Sequence, residues 1–176
     1  MTFIRMLIIV FFISNPILAR GYDVFGIGYY DIEIGGSSLN EAFDFRYERR
    51  FDKVLVDIGP EEDNYFYLKP FAGIEATSKS SYYILGGIYL EDNLGQLFIG
   101  EKSNFIFTPS FGAGYYDDGN GKKLGNAIEF RTTFEISYEL QNKNRIGFSF
   151  SHISNANIGN NNTGVEIISL SYQIPY

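Results

Sequence analysis

From residue 22 onward, apolar and polar side chains alternate with a period of two in one segment after another. That period marks strands with two chemically distinct faces. The stretch Ala127–Leu140 is the clearest: Ile128, Phe130, Thr132, Phe134, Ile136, Tyr138 and Leu140 share one face. Glu129, Arg131, Thr133, Glu135, Ser137 and Glu139 take the other. Residues 42–49 set Phe43, Phe45 and Tyr47 against Asp44, Arg46 and Glu48. In 105–115 the aromatic face is opposed by Thr108, Ser110, Gly112 and Gly114, which are small enough for a crowded interior. Such runs predict eight strands, at 22–34, 41–51, 64–77, 81–91, 104–116, 126–140, 144–154 and 164–175. Between them lie turn formers: Gly35-Gly36-Ser37-Ser38, Asp117-Asp118-Gly119-Asn120-Gly121, Gln141-Asn142-Lys143-Asn144 and Asn160-Asn161-Asn162. Residues 92–103 read as a strand extension plus a turn, not a ninth strand. No repeat, linker or domain boundary interrupts the pattern.

Alternation does not say which face meets solvent. In a β-sandwich the apolar face is internal and the charged face meets water. In a membrane barrel apolar side chains and aromatic girdles face lipid, and polar ones fill the interior. Three features favour the barrel, an all-β, eight-stranded antiparallel transmembrane structure. Its segments run to ten residues or more, 18% of residues are aromatic, and the last alternating segment ends on Tyr176. A terminal strand closing in Phe or Tyr looks like the assembly signal of outer-membrane barrels. Eight strands enclose an interior that side chains just fill, so no pore is expected.

Residues 1–19 have a different character. Arg5 precedes an apolar run from Met6 to Ile13, then Asn15-Pro16 breaks the run ahead of Ala19. This is the layout of a cleaved secretory signal peptide, and the run is too short to span a bilayer as a helix. The mature domain is expected over 20–176.

Composition narrows the chemistry. The chain has no cysteine and one histidine, which excludes a thiol nucleophile and a Cys/His zinc site. A net charge of −7 argues against nucleic acid as a partner. No Asp/Glu cluster has calcium-loop spacing, so neither metal nor cofactor is inferred. Glu129, Arg131, Glu135 and Asp44 read as interior ion-pair material.

The single histidine lies where alternation turns unusual. In 145–154 the apolar face runs Ile146, Phe148, Phe150 and then continues as His152 and Ser154. In the next strand Glu166 begins the face that continues as Ile168, Leu170 and Tyr172. A hairpin symmetric about Gly159 sets His152 opposite Glu166 and Ser154 opposite Gly164, with directly opposed Cβ atoms about 4.5–5.5 Å apart. A nucleophile, a base and an orienting carboxylate would then share one face. The plainer reading is three polar residues at a membrane interface; no GxSxG elbow accompanies them.

The segment His152-Ile153-Ser154-Asn155-Ala156, with Gly164-Val165-Glu166 and the closing Pro175-Tyr176, strongly resembles the lipid A 3-O-deacylases, the PagL-type acyloxyacyl hydrolases of the outer membrane. Family members pair an H-x-S-N segment with a Glu fourteen residues after the His, as Glu166 follows His152 here. The resemblance extends to Thr108–Tyr115 and Glu129-Phe130-Arg131, so it covers most of the C-terminal half. It implies Ser154 as nucleophile, His152 as general base, Glu166 as the residue orienting the base, and Asn155 as an oxyanion donor. The family often has Gly two residues after that Asn, where this chain has Asn157. The implied activity is hydrolysis of the ester-linked 3-position acyl chain of lipid A. With both termini in the periplasm, the loop 155–163 faces outward and the triad sits on the lipid-facing wall at the outer-leaflet end. The implied partners are lipopolysaccharide, membrane lipid, the barrel assembly machinery through Tyr176, and a second copy of the chain. Lys122, Lys123 and Arg145 are candidate contacts for lipid phosphates, although exposed basic residues are more often simply solvated. The rival reading is a non-enzymatic surface barrel for adhesion or membrane structure. Such barrels carry long outer loops, and 35–40, 78–81 and 117–125 are short.

Overall fold

A computed structural model describes residues 21–33, 38–59, 67–158 and 161–176. The expected leader 1–19, Gly35, Gly36, Ser37, Gly159, Asn160 and the first residues of the strand expected from 64 lie outside the described residues. Eight long strands form the wall: β1 (Tyr22–Tyr30), β2 (Ala42–Arg50), β4 (Tyr67–Thr77), β5 (Tyr82–Tyr89), β7 (Phe105–Asp117), β8 (Ile128–Glu139), β9 (Arg145–Ser154) and β10 (Val165–Pro175). Each pairs antiparallel with its neighbours in sequence, and β1 pairs with β10 to close an eight-stranded barrel. Closure leaves no long edge unpaired.

Two small elements were not foreseen. Val56–Asp57 (β3) pairs with Leu68 and Tyr67 of β4. In 92–103 the expected strand extension is Asp92–Asn93 (β6), which continues against β7, but the expected turn holds a six-residue helix, Leu94–Ile99 (α1). Asn93 caps that helix by accepting the Gln96 N–H, and Gly100 ends it at φ +72°.

The two faces are sorted as a membrane barrel requires. Phe45, Phe111, Phe134, Phe148 and Leu170 point outward and are about half exposed. Asp44, Arg46, Glu48, Arg50, Glu75, Arg131 and Glu135 are buried inside. Arg50 bonds Glu135 at 2.6 Å and Glu48 at 3.2 Å, Arg46 bonds Glu135 at 3.2 Å, and Arg131 bridges Glu48 and Glu75. Gln173 and Ser171 donate the remaining hydrogen bonds to Glu135. Glu129 and Asp44 depart from the expected pairing. Both are buried, but among the described residues neither makes an ion pair, and neither Glu129 carboxylate oxygen has a hydrogen-bond partner. Arg131, the closest cation along β8, is already shared between two other carboxylates.

Crowding is severe on the small-residue face of β7. A Cβ on Gly112 would sit 2.9 Å from the Phe71 ring, and one on Gly114 would strike the Ile84 carbonyl. The end away from the termini is closed by Tyr30 and Tyr116, whose hydroxyls lie 2.7 Å apart, and by buried Leu124. At the other end the Tyr176 N–H donates to the Gly21 carbonyl, and the Arg49 guanidinium lies 4.0 Å from the Tyr176 ring centroid.

Candidate active site

Parity places the reactive side chains. On β9, Arg145, Gly147, Ser149, Ser151 and Ile153 point inward, so His152 and Ser154 point outward. On β10 the same alternation turns Val165 and Ile167 inward and Glu166 outward. The ladder pairs Ile153 with Val165 and His152 with Glu166, as a hairpin centred on Gly159 requires. His152 Nδ1 and Glu166 Oε1 are 3.0 Å apart, with side chains 44% and 40% exposed. A carboxylate at that distance holds the proton on Nδ1 and leaves Nε2 as the acceptor.

Ser154 lies two residues along the same face, about 6.6 Å away at ordinary strand rise. Among the described residues its hydroxyl makes no hydrogen bond to His152. The imidazole does lean toward it. A Cβ on Gly164, the position across from Ser154, would lie 2.8 Å from His152 Cε1 and 3.5 Å from Nε2. The ring therefore covers Gly164, and its free nitrogen is on the serine side of the strand pair. On the other flank β8 sets Thr132 opposite His152 and Phe130 opposite Ser154. Phe111, Phe134, Phe150 and Ile168 surround this polar notch with exposed apolar surface.

Asn155 does not present its side chain to this notch. It is fully buried, and its Nδ2 donates to the carbonyls of Leu124 (2.8 Å) and Asn161 (2.6 Å). Its Oδ1 accepts the Asn157 N–H at 3.0 Å. The expectation of Asn155 as oxyanion donor meets a physical objection: the residue after an outward Ser154 faces inward, and both amide hydrogens are engaged. Asn157 stands at φ +62°, a left-handed conformation that glycine adopts freely and Asn tolerates, so the departure from the family's usual Gly preserves the backbone. Sequence reading missed Asn162. Its Oδ1 accepts the Asn155 N–H at 3.1 Å, which anchors the amide beside Ser154. Its Nδ2 makes no side-chain hydrogen bond among the described residues.

The basic candidates separate by location. Lys122 is bound to Asp31 at 2.5 Å, and Arg145 lies at the opposite end of the barrel, bound to Glu91 at 2.5 Å. Neither is free to meet a phosphate beside Ser154. Lys123 is exposed, and its carbonyl accepts the Thr163 hydroxyl at 2.9 Å.

Known proteins bear directly on this arrangement. The family described as lipid A 3-O-deacylase (PagL) matches residues 68–175, which contain His152, Ser154 and Glu166. The lipid A deacylase PagL of Bordetella bronchiseptica is 39% identical over 51 residues, a match spanning 29% of this chain and 29% of that protein. The crystal structure of the outer membrane enzyme PagL superposes with a TM-score of 0.63 at 16% identity, covering 90% of this chain and all of that one. A de novo designed transmembrane β-barrel gives 0.54 at 10% identity over 92% of this chain and all of the design, so the architecture alone is not specific to the enzyme. With most of its length matched by the family pattern, the chain belongs to the PagL lipid A 3-O-deacylases.

Proposed function

We propose that this protein is an outer-membrane serine esterase that removes the ester-linked 3-position acyl chain of lipid A. The observation that carries the reading is the His152–Glu166 hydrogen bond on the outer wall, beside Ser154, made by the chain's only histidine. His152 Nε2 takes the proton of Ser154 as its Oγ attacks the ester carbonyl, and Glu166 stabilises the imidazolium formed. The tetrahedral intermediate collapses, His152 returns the proton to the departing sugar 3-oxygen, and an acyl-serine remains. Water, deprotonated by His152, then releases the fatty acid and restores Ser154. Asn162 supplies an oxyanion donor from its anchored amide, and Asn155 holds the loop that positions it.

The location suits the substrate. An eight-stranded interior filled by ion pairs admits no glycolipid, whereas an outward notch ringed by phenylalanines receives an acyl chain from the leaflet. With the loop end outermost, that leaflet is the one in which lipid A resides.

Mass spectrometry of lipid A from cells expressing the wild type or Ser154→Ala tests this. The wild type is expected to remove one hydroxyacyl chain and the variant none. Unchanged lipid A in both, with a folded and inserted barrel, would favour a non-enzymatic surface barrel.

A further inference from the structure

Six residues are too few for a helix to persist in water unaided, and α1 is clasped at its base. The Asn93 side-chain oxygen accepts the N–H groups of Gln96 at 3.2 Å and Ser103 at 2.9 Å, and its Nδ2 donates to the Ser103 carbonyl at 2.7 Å. The Ser103 hydroxyl accepts the Gly95 N–H at 3.1 Å. Gly95 is buried in this clasp, where a Cβ would strike the Glu101 carbonyl and lie 2.7 Å from Ser103 Cβ. The C-terminal half of the helix is apolar and uncovered. Leu97, Phe98 and Ile99 are 49%, 78% and 72% exposed, and the exposed charges of Glu101 and Lys102 follow. Single exposed apolar side chains are ordinary, but three in succession on a clasped support form a surface suited to an apolar medium.

We propose that α1 is an interfacial anchor, with Leu97, Phe98 and Ile99 seated in the phospholipid at the end of the barrel that holds the chain termini. Register gives the level. Asn93 faces Ile106 across β6 and β7, so α1 starts at the height of Phe105, which faces Tyr138. Both rings are exposed on the outer wall, with centroids 5.1 Å apart, and the Tyr138 hydroxyl accepts the Asn104 amide at 3.2 Å. Outward aromatics with a polar end of this kind mark the boundary between membrane and water. The occupant is lipid because the helix continues the lipid-facing wall: β6 extends the ladder along β7, and α1 grows from its end. Interfacial helices seat their apolar side chains about 5–10 Å into the boundary between headgroups and acyl chains. Glu101 and Lys102 then return the chain to water.

The chain has no tryptophan, so Phe98→Trp supplies a single indole as reporter. The folded variant is placed in phosphatidylcholine vesicles whose acyl chains carry bromine at a chosen depth. Bromines near the headgroups are expected to quench about half of the emission, and bromines near the chain ends much less, as shallow seating requires. Phe134→Trp, midway along the outward face of β8, should show the reverse order of depth. Gln141→Trp, in an exposed turn at the same end of the barrel, should be quenched little by either. Quenching of Phe98→Trp by aqueous iodide but not by brominated lipid would overturn the anchor. So would an indole shielded from both, which would mark a covering protein or a second copy. Lipid quenching as strong in Gln141→Trp as in Phe98→Trp would likewise overturn it, since α1 would then be no different from any turn at that end. Leu97→Trp repeats the measurement should Phe98→Trp fail to fold.

Discussion

Gly164 has no side chain, and the imidazole of His152 occupies the space one would take. Its φ of +57° adds a second reason for glycine, since an L side chain there costs about 1–2 kcal/mol. Gly164→Ala should therefore push the ring off its bearing on Ser154. We expect kcat to fall about a hundredfold, the scale of a roughly 1 Å misplacement, while the barrel loses only about 1–2 kcal/mol of stability. Paired measurements of turnover and urea midpoint check this, and unchanged turnover would contradict it. The shared outward face of His152, Ser154 and Glu166 was readable from the sequence because alternation assigns faces: the three interrupt otherwise apolar stripes. The same alternation turns Asn155 inward. Motif likeness carried no information about side-chain direction, so it pointed to Asn155, whose amide is turned inward and engaged.

Strands are where sequence and structure agree most closely, because eight or more alternating residues leave one sensible conformation. Two of the shortest elements went unseen. β3 has two residues, and α1 has six, too few for a helical stripe. Only its ends were marked, by Asn93 and Gly100. The described residues of the loop joining β9 to β10 are likewise tied by hydrogen bonds that no periodicity reports. Asn155 alone satisfies the carbonyls of Leu124 and Asn161 and the N–H of Asn157. Asn155→Ala should leave these backbone groups unpartnered at a cost of about 1–3 kcal/mol. Limited proteolysis should then cut within 155–163 while the strands stay protected. A loop as resistant as in the wild type would show that these bonds are dispensable.

Across the whole barrel, charge is internal and grease external, so the polar network sets the stability of the wall. Arg131 holds Glu48 and Glu75 together and stacks 5.5 Å from the Phe71 ring centroid. Arg131→Met would strand the buried Glu75 carboxylate and leave Glu48 to Arg50 and Arg46, and should cost about 3–5 kcal/mol in urea unfolding; a loss below about 1 kcal/mol would mean that water or rearranged partners replace it. That Arg131 and Glu135 would each find an ion-pair partner inside was visible from the face they share, but partner choice across strands was not. It depends on which strands closure brings face to face, and among the described residues Glu129 and Asp44 make no ion pair.

Closure also bears on the strand that carries Glu166. Glu166 lies on β10, the last strand, whose far edge is completed by β1, with the Ile32 N–H donating to the Glu166 carbonyl. The earliest and latest strands of the chain must meet before that edge is secured. Under the proposed mechanism, the meeting of first and last strands that seals the wall also braces the strand carrying the carboxylate that orients the imidazole.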